Sequence, residues 1–163
     1  MDMDTLGVRE ATSEDCEKIF KMVIELTKYE SQHLSLIKTT AESLKEDGFK
    51  NKPWFKCLVA TKNAELIGYL LYFRTYSIQH GRTMQMKDLY VRLGHRHVGV
   101  GKRLIKELSI IALREKCKLI NWRVLNDNDN AIGFYENIGG DMQSNVKVGA
   151  NNGELKNFST VRL

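Results

Sequence analysis

Residues 87–103, KDLYVRLGHRHVGVGKR, constrain this chain more than any other stretch. An apolar extended segment runs into a loop of glycines and cations. Val100, Leu104, Ile105, Leu108, Ile111 and Ala112 then recur at the three- and four-residue spacing of an amphipathic helix. Strand, glycine loop and helix in that order make an anion cradle. Gly94, Gly99 and Gly101 let the backbone approach a ligand, and the helix aims its free amides and positive dipole end at the same point. Arg92, Arg96, Lys102, Arg103 and Lys106 crowd this loop, as a pyrophosphate and a ribose phosphate would require. That concentration accounts locally for a formal charge of +5 and a pI near 9.1, so no nucleic-acid partner is expected.

Two common phosphate-binding patterns are excluded. A Walker loop needs Lys and Ser/Thr directly after its last glycine, but Gly99 is followed by Val100; a dinucleotide fingerprint starting at Gly99 needs a third glycine where Leu104 stands. What remains is Arg96-x-x-Gly99-x-Gly101 on a strand-to-helix turn. This closely resembles the acetyl-CoA signature of the GCN5-related N-acetyltransferases.

The rest of the chain is compatible with one small enzyme domain over 1–163. A length of 163 residues suffices for a real core, 42% hydrophobic and 28% charged residues is an ordinary balance, and a single proline leaves no Pro-rich linker. The opening MDMDTLGVRE is acidic without an apolar run, and no segment approaches the roughly 20 apolar residues of a membrane span, so a cytoplasmic protein with no membrane partner is expected. Cys16, Cys57 and Cys117 are odd in number and show no Cys-x-x-Cys spacing, which suits buried structural thiols. His33, His80, His95 and His97 form no helical pair and join no acidic cluster, so no metal is expected.

Periodicity and turn residues order the elements. Val8 to Ala11 reads as a strand. Thr12 or Ser13 caps a helix to about Tyr29 whose apolar face carries Cys16, Ile19, Phe20, Val23 and Leu26. Thr39 and Glu42 read as the capping box of a second helix that stops at Gly48. Trp54–Thr61, Leu66–Arg74 and Thr83–Val91 read as an antiparallel meander. The cradle helix ends near Lys116 and feeds the strand Leu119–Val124, which its crossover makes parallel to the strand before the cradle. Asn128 or Asn130 caps a helix over Ala131–Ile138 closed by Gly139-Gly140, and the tail supplies a last pair of strands around Gly149–Gly153. This order is again that of the acetyltransferase family and implies an α+β fold: a mixed, mostly antiparallel sheet splayed at two parallel strands and flanked by helices.

Over roughly residues 8–140 the resemblance narrows. Lys28-Tyr29-Glu30, Glu46-Asp47-Gly48-Phe49, Cys57-Leu58-Val59-Ala60, Lys87-Asp88-Leu89-Tyr90-Val91 and Phe134-Tyr135 resemble the diamine (spermidine/spermine) acetyltransferases and their thialysine-acetylating relatives. The resemblance implies direct transfer of the acetyl group from acetyl-CoA to a small primary amine, diamine-like or amino-acid-like. Leu89, Tyr90 and Val91 would then hydrogen-bond the pantetheine arm, Arg96, His97, Val98, Gly99, Val100, Gly101 and Lys102 would hold the pyrophosphate, and Asn130 would lie near the arm. Tyr135 falls at the family's general acid. Tyr29, Glu30, Lys87 and Asp88 would border the amine, with Glu30 or Asp88 taking its proton. A homodimer is within the family's habits, but the C-terminal segment departs from the pattern where the dimer contacts would lie.

Other departures bear on the acceptor. The diamine enzymes carry a glutamate where this chain has Lys87, and an aspartate and a tryptophan where it has Ser77 and Gln79. Two negative charges are lost and one positive is gained, which disfavours a polycation. Two alternatives stay open: a protein lysine or N-terminal acetyltransferase, and a non-catalytic CoA-sensing or nucleic-acid-binding module.

Overall fold

A strand-rich half with one amphipathic helix sets the frame. The computed structural model describes residues 6–124 and 128–139, and the backbone of 141–143 and 158–162. In chain order the elements are β1 (Gly7–Glu10), α1 (Cys16–Tyr29), α2 (Ala41–Phe49), β2 (Lys56–Lys62), β3 (Glu65–Ser77), β4 (Gly81–Val91), α3 (Val100–Arg114), β5 (Leu119–Arg123), α4 (Asp129–Asn137), β6 (Asp141–Gln143) and β7 (Phe158–Arg162). Strand order is β1-β2-β3-β4-β5-β7-β6. The pairs β1·β2, β2·β3, β5·β7 and β6·β7 are antiparallel, and β4·β5 is parallel through Met84–Ile120 and Gln85–Asn121. The fold is α+β, with the expected parallel pair joined by the cradle helix.

The backbone divides into two compact units. The first holds the described residues of Met1–Phe73 and Asp88–Leu108. Its core joins Ile19 and Met22 of α1, Cys57 and Val59 of β2, Leu66 and Tyr69 of β3 and Tyr90 of β4, with Val23 and Leu26 packed against them. Each such side chain contributes about 1.5–3 kcal/mol on burial. The entry to α1 is pinned by Arg9, which donates to both Asp15 oxygens at 2.7 and 3.0 Å, and by the Thr12 amide, which donates to Asp15 Oδ2 at 2.8 Å. β2 turns into β3 through Asn63 and Ala64, both in the left-handed region.

Local details correct the sequence reading of α2 and β2. The capping box is Thr40 with Ser43, not Thr39 with Glu42: the Ser43 amide donates to Thr40 Oγ1 at 3.1 Å and the Thr40 amide to Ser43 Oγ at 2.8 Å. Gly48 does not stop the helix, which runs on to Phe49. Its role is packing, since a Cβ there would meet the Phe55 ring at 2.5 Å. Trp54 lies before β2 and is 81% exposed.

The second unit holds the described residues of Arg74–Lys87 and Ser109–Leu163. Met84, Ile111, Ala112, Leu119, Ile120, Trp122 and Tyr135 are buried there. Arg74 donates to both Glu115 oxygens at 2.5 and 2.7 Å, and Thr75 and Thr83 share a hydroxyl hydrogen bond of 2.7 Å. α3 ends at Arg114, two residues before Lys116, which takes a positive φ while the Cys117 amide bonds the Ala112 carbonyl at 2.9 Å. Asn128 caps α4 by accepting from the Ala131 amide at 3.2 Å, and Gly139 closes it at φ 85°. β6 and β7 flank the glycines of the tail; Gly149–Gly153 and Gly140 lie outside the described residues.

Candidate active site

In the first unit β4 runs without a break into the loop that the sequence singles out. After Val91 the Arg92 amide still bonds the Ile67 carbonyl at 2.9 Å, and a single 3-10 turn over Leu93–His95 follows. His97 then takes φ 64° and Gly99 φ 88°. Gly99 occupies a conformation that side chains avoid, and a Cβ on it would meet nothing within 4 Å. The first ladder bond of α3 runs from the Arg103 amide to the Gly99 carbonyl at 3.0 Å, so the amides of the preceding first turn have no acceptor within the helix. Gly99 and Val98 are exposed, Gly101 is half-buried and Val100 anchors the helix in the core. An open glycine in front of amides that have no acceptor within the helix fits a pyrophosphate.

The cations divide in a way that composition does not reveal. Arg92 donates to both oxygens of Glu25 at 3.2 and 3.1 Å and to Glu65 at 3.0 Å, while the Tyr90 hydroxyl donates to Glu25 at 3.1 Å. Arg96 donates from Nε to the Val91 carbonyl at 2.7 Å, with its guanidinium 4.2 Å from the Tyr29 ring centroid and 5.5 Å from that of Tyr90. Glu25 and Tyr29 stand one turn apart on α1, as Arg92 and Arg96 stand four residues apart on the loop. The two pairs lash the C-terminal end of α1 to the end of β4. Lys102, Arg103 and Lys106 are exposed on the first turns of α3. Arg92 is thus already engaged by two glutamates.

Of the expected acceptor residues, Asp88 and Glu30 face one buried phenol. Tyr69 of β3 has no exposed surface, and its hydroxyl donates to Asp88 Oδ2 at 3.4 Å. Burial first, then the charges of Asp88, Cys57 and Glu30 and the bond to Asp88, push this phenol far above its ordinary value, so it stays a neutral donor. Glu30 caps the end of α1 and is half-buried, as is Asp88. Tyr29 is 37% exposed beneath Arg96. Gly68 makes the close pairing possible here, because a Cβ on it would lie 2.8 Å from the Tyr90 carbonyl. Burial likewise drives the Cys57 thiol up, so it is inert as a nucleophile. Sequence reasoning missed Tyr69 and Glu25; β3 is buried on both faces over Leu66–Leu70, so no alternation singles Tyr69 out.

The remaining predicted residues belong to the second unit. Tyr135 is 7% exposed on α4, packed at a tilt of 36° against Trp122 with centroids 5.0 Å apart and edge-on to Phe134 at 5.3 Å. Asn130 and Lys87 are exposed. Among the described residues no three His, Cys, Asp or Glu side chains could hold a metal, and no helix is long and apolar enough to cross a membrane.

Comparison with known proteins gives one answer. Residues 17–139 match the model of the acetyltransferase (GNAT) family. The chain is 34% identical over 145 residues to a thialysine N-epsilon-acetyltransferase of Sus scrofa, covering 84% of this chain and 85% of that protein. It is 31% identical over 144 residues to spermidine/spermine N(1)-acetyltransferase-like protein 1 of Homo sapiens, covering 84% of this chain and 21% of that one. In fold it is similar to the PaiA N-acetyltransferase of Thermoplasma acidophilum in complex with coenzyme A, with a TM-score of 0.77 at 15% identity over 98% of this chain and 99% of that one. The strand, open glycine loop and helix are thus set in a chain that belongs to the GNAT family of acetyltransferases.

Proposed function

We propose that the chain transfers the acetyl group of acetyl-CoA directly to a small primary amine. One observation carries the reading. A single unit holds both the open Gly99 loop at the start of α3 and, on β4 just before that loop, a half-buried carboxylate facing a neutral phenol with a second carboxylate nearby. The first arrangement suits a pyrophosphate, and the second suits an ammonium group.

The thioester supplies an activated acetyl group, and the chain's residues prepare its partner. Asp88 and Glu30 attract the ammonium and take its proton, directly or through water. The free amine nitrogen bonds to the carbonyl carbon, the carbon–sulfur bond breaks, and the leaving thiolate takes a proton, a role the family resemblance gives to Tyr135. No covalent enzyme intermediate is needed. Leu89–Val91 hold the pantetheine arm by their backbone, residues 96–102 hold the pyrophosphate through amides, and Arg96 acts by fixing Tyr29 as much as by charge. We read residues 1–163 as one catalytic domain, because the family match runs through both units.

Lys87 points the acceptor toward an amine that also carries a carboxylate, in line with the thialysine-acetylating relatives. Internal neutralisation of Arg92 weakens the case for a nucleic-acid partner, and three buried free thiols suit a reducing cytoplasm. The test is thiol release from acetyl-CoA across polyamines, amino acids, arylalkylamines and lysine peptides. Turnover of a lysine-like amino acid or a diamine supports the reading. Tight CoA binding with no amine turned over refutes it in favour of a sensing module.

A further inference from the structure

We infer that Tyr69 is a positioning residue for the acetyl transfer: its buried hydroxyl fixes and keeps ionised the Asp88 carboxylate that receives the amine. The inference rests on the proposed amine acetylation and adds to it a residue from a different strand. Tyr69 is wholly enclosed, packed with Ile19 and Met22 of α1 and Cys57 and Val59 of β2. A phenylalanine would serve that apolar environment as well. Burying a hydroxyl is unfavourable unless it is bonded, and the bond here goes to Asp88 Oδ2 at 3.4 Å. The ring is braced on the other side by Tyr90, with centroids 6.4 Å apart, and Gly68 lets β4 come close enough to bring Asp88 under the hydroxyl.

The charged and titratable groups that face the phenol are Asp88 on β4, Cys57 on β2 and Glu30 at the end of α1. All three oppose its ionisation, so it remains a proton donor at every working pH. A neutral donor favours the ionised carboxylate over the protonated acid. Glu30 acts in the opposite sense on Asp88, since a neighbouring negative charge disfavours a second one. The hydroxyl thus helps to keep two carboxylates usable beside one ammonium, in a chain where Lys87 replaces the family's glutamate.

The test compares the parent with Tyr69→Phe. Carbon-13 NMR titration of the Asp88 carboxyl should show its pKa raised by about one pH unit, the lower end for a hydrogen bond to a charged group. The amine KM should rise about three- to tenfold, while CoA affinity by calorimetry stays unchanged. An Asp88 titration that does not move overturns the inference, and it does so whether or not any amine is turned over; absence of turnover in the parent would sink the proposed function alone. A second arm guards against a packing effect. In an Asp88→Ala background, Tyr69→Phe should leave the amine KM unchanged, whereas the same rise in both backgrounds assigns Tyr69 to packing and refutes the role.

Discussion

Two glycines eight and ten residues beyond Val91 separate stability from binding in opposite directions. Gly99 stands at φ 88° with open space where its Cβ would be. Gly101 is the second residue of α3, in helical conformation. Gly99→Ala meets no clash, so its whole cost to folding is backbone strain, about 1–2 kcal/mol for an L residue forced into the left-handed region. Gly101→Ala removes a flexible residue from a helix and should stabilise by roughly 0.5 kcal/mol, somewhat less than a mid-helix position because it lies in the first turn. If the amides of that turn carry the pyrophosphate, both methyl groups stand where the anion must approach. Each should then weaken CoA by about tenfold or more, near 1.4 kcal/mol. Urea unfolding gives the first pair of numbers and calorimetric titration of CoA the second. Gly81→Ala is the control, since it shares the open space and the positive φ but lies outside the loop. A folded Gly101→Ala variant with parental CoA affinity would refute the cradle.

Three further outcomes are expected. Tyr135→Phe should keep CoA affinity and lower turnover by roughly 10²- to 10⁴-fold, the usual contribution of a positioned proton donor; turnover within about threefold of the parent returns Tyr135 to packing against Trp122. Arg9 holds the Asp15 carboxyl below the ordinary carboxylate range, so the pair's contribution is complete above the unfolded-state value of about 4 and is lost as pH falls toward the folded one. Arg9→Ala should therefore be about 1 kcal/mol less stable than the parent at pH 7, with the gap narrowing as pH falls below about 4, and a gap in denaturant melts that stays constant under acid disproves the linkage. Spermine should be a poor substrate, and Lys87→Glu should raise its kcat/KM relative to a carboxylate-bearing amine by a few-fold, the small factor reflecting screening at an exposed side chain; an unchanged preference order removes Lys87 from specificity.

The elements with a strong period were legible, and the corrections have local causes. α1 follows from Cys16, Ile19, Phe20, Val23 and Leu26, although Met22, outside that set, is fully buried and Phe20 only half-buried; the parallel relation of β4 and β5 follows from the crossover helix between them. The α2 cap was misread because Thr39 and Thr40 are adjacent and both have a polar residue three positions on; only the backbone decides that Thr40 and Ser43 exchange bonds. Gly48 reads locally as a helix terminator, but its missing side chain makes room for Phe55, a tertiary contact with no trace in local sequence.

The site shows the same limit more sharply. Glycine spacing pointed to the loop because the requirement there is on the backbone itself. Charge counting assigned five cations to the ligand, yet which of them are available depends on partners 26 to 67 residues away: Glu25, Glu65 and Leu66 for Arg92. Arg96 is half committed as well, its Nε on Val91 and its plane over Tyr29. Lys102, Arg103 and Lys106 remain exposed on α3, and they lie on the helix whose amides already face the loop. Charge at this site thus comes in two kinds, one that sets the shape of the α1–β4 junction and one that meets solvent. They respond differently to salt. Raising ionic strength should weaken CoA binding through the exposed α3 cations, while the Arg92–Glu25 and Arg96–Tyr29 contacts, partly shielded from water, hold the acceptor residues in place.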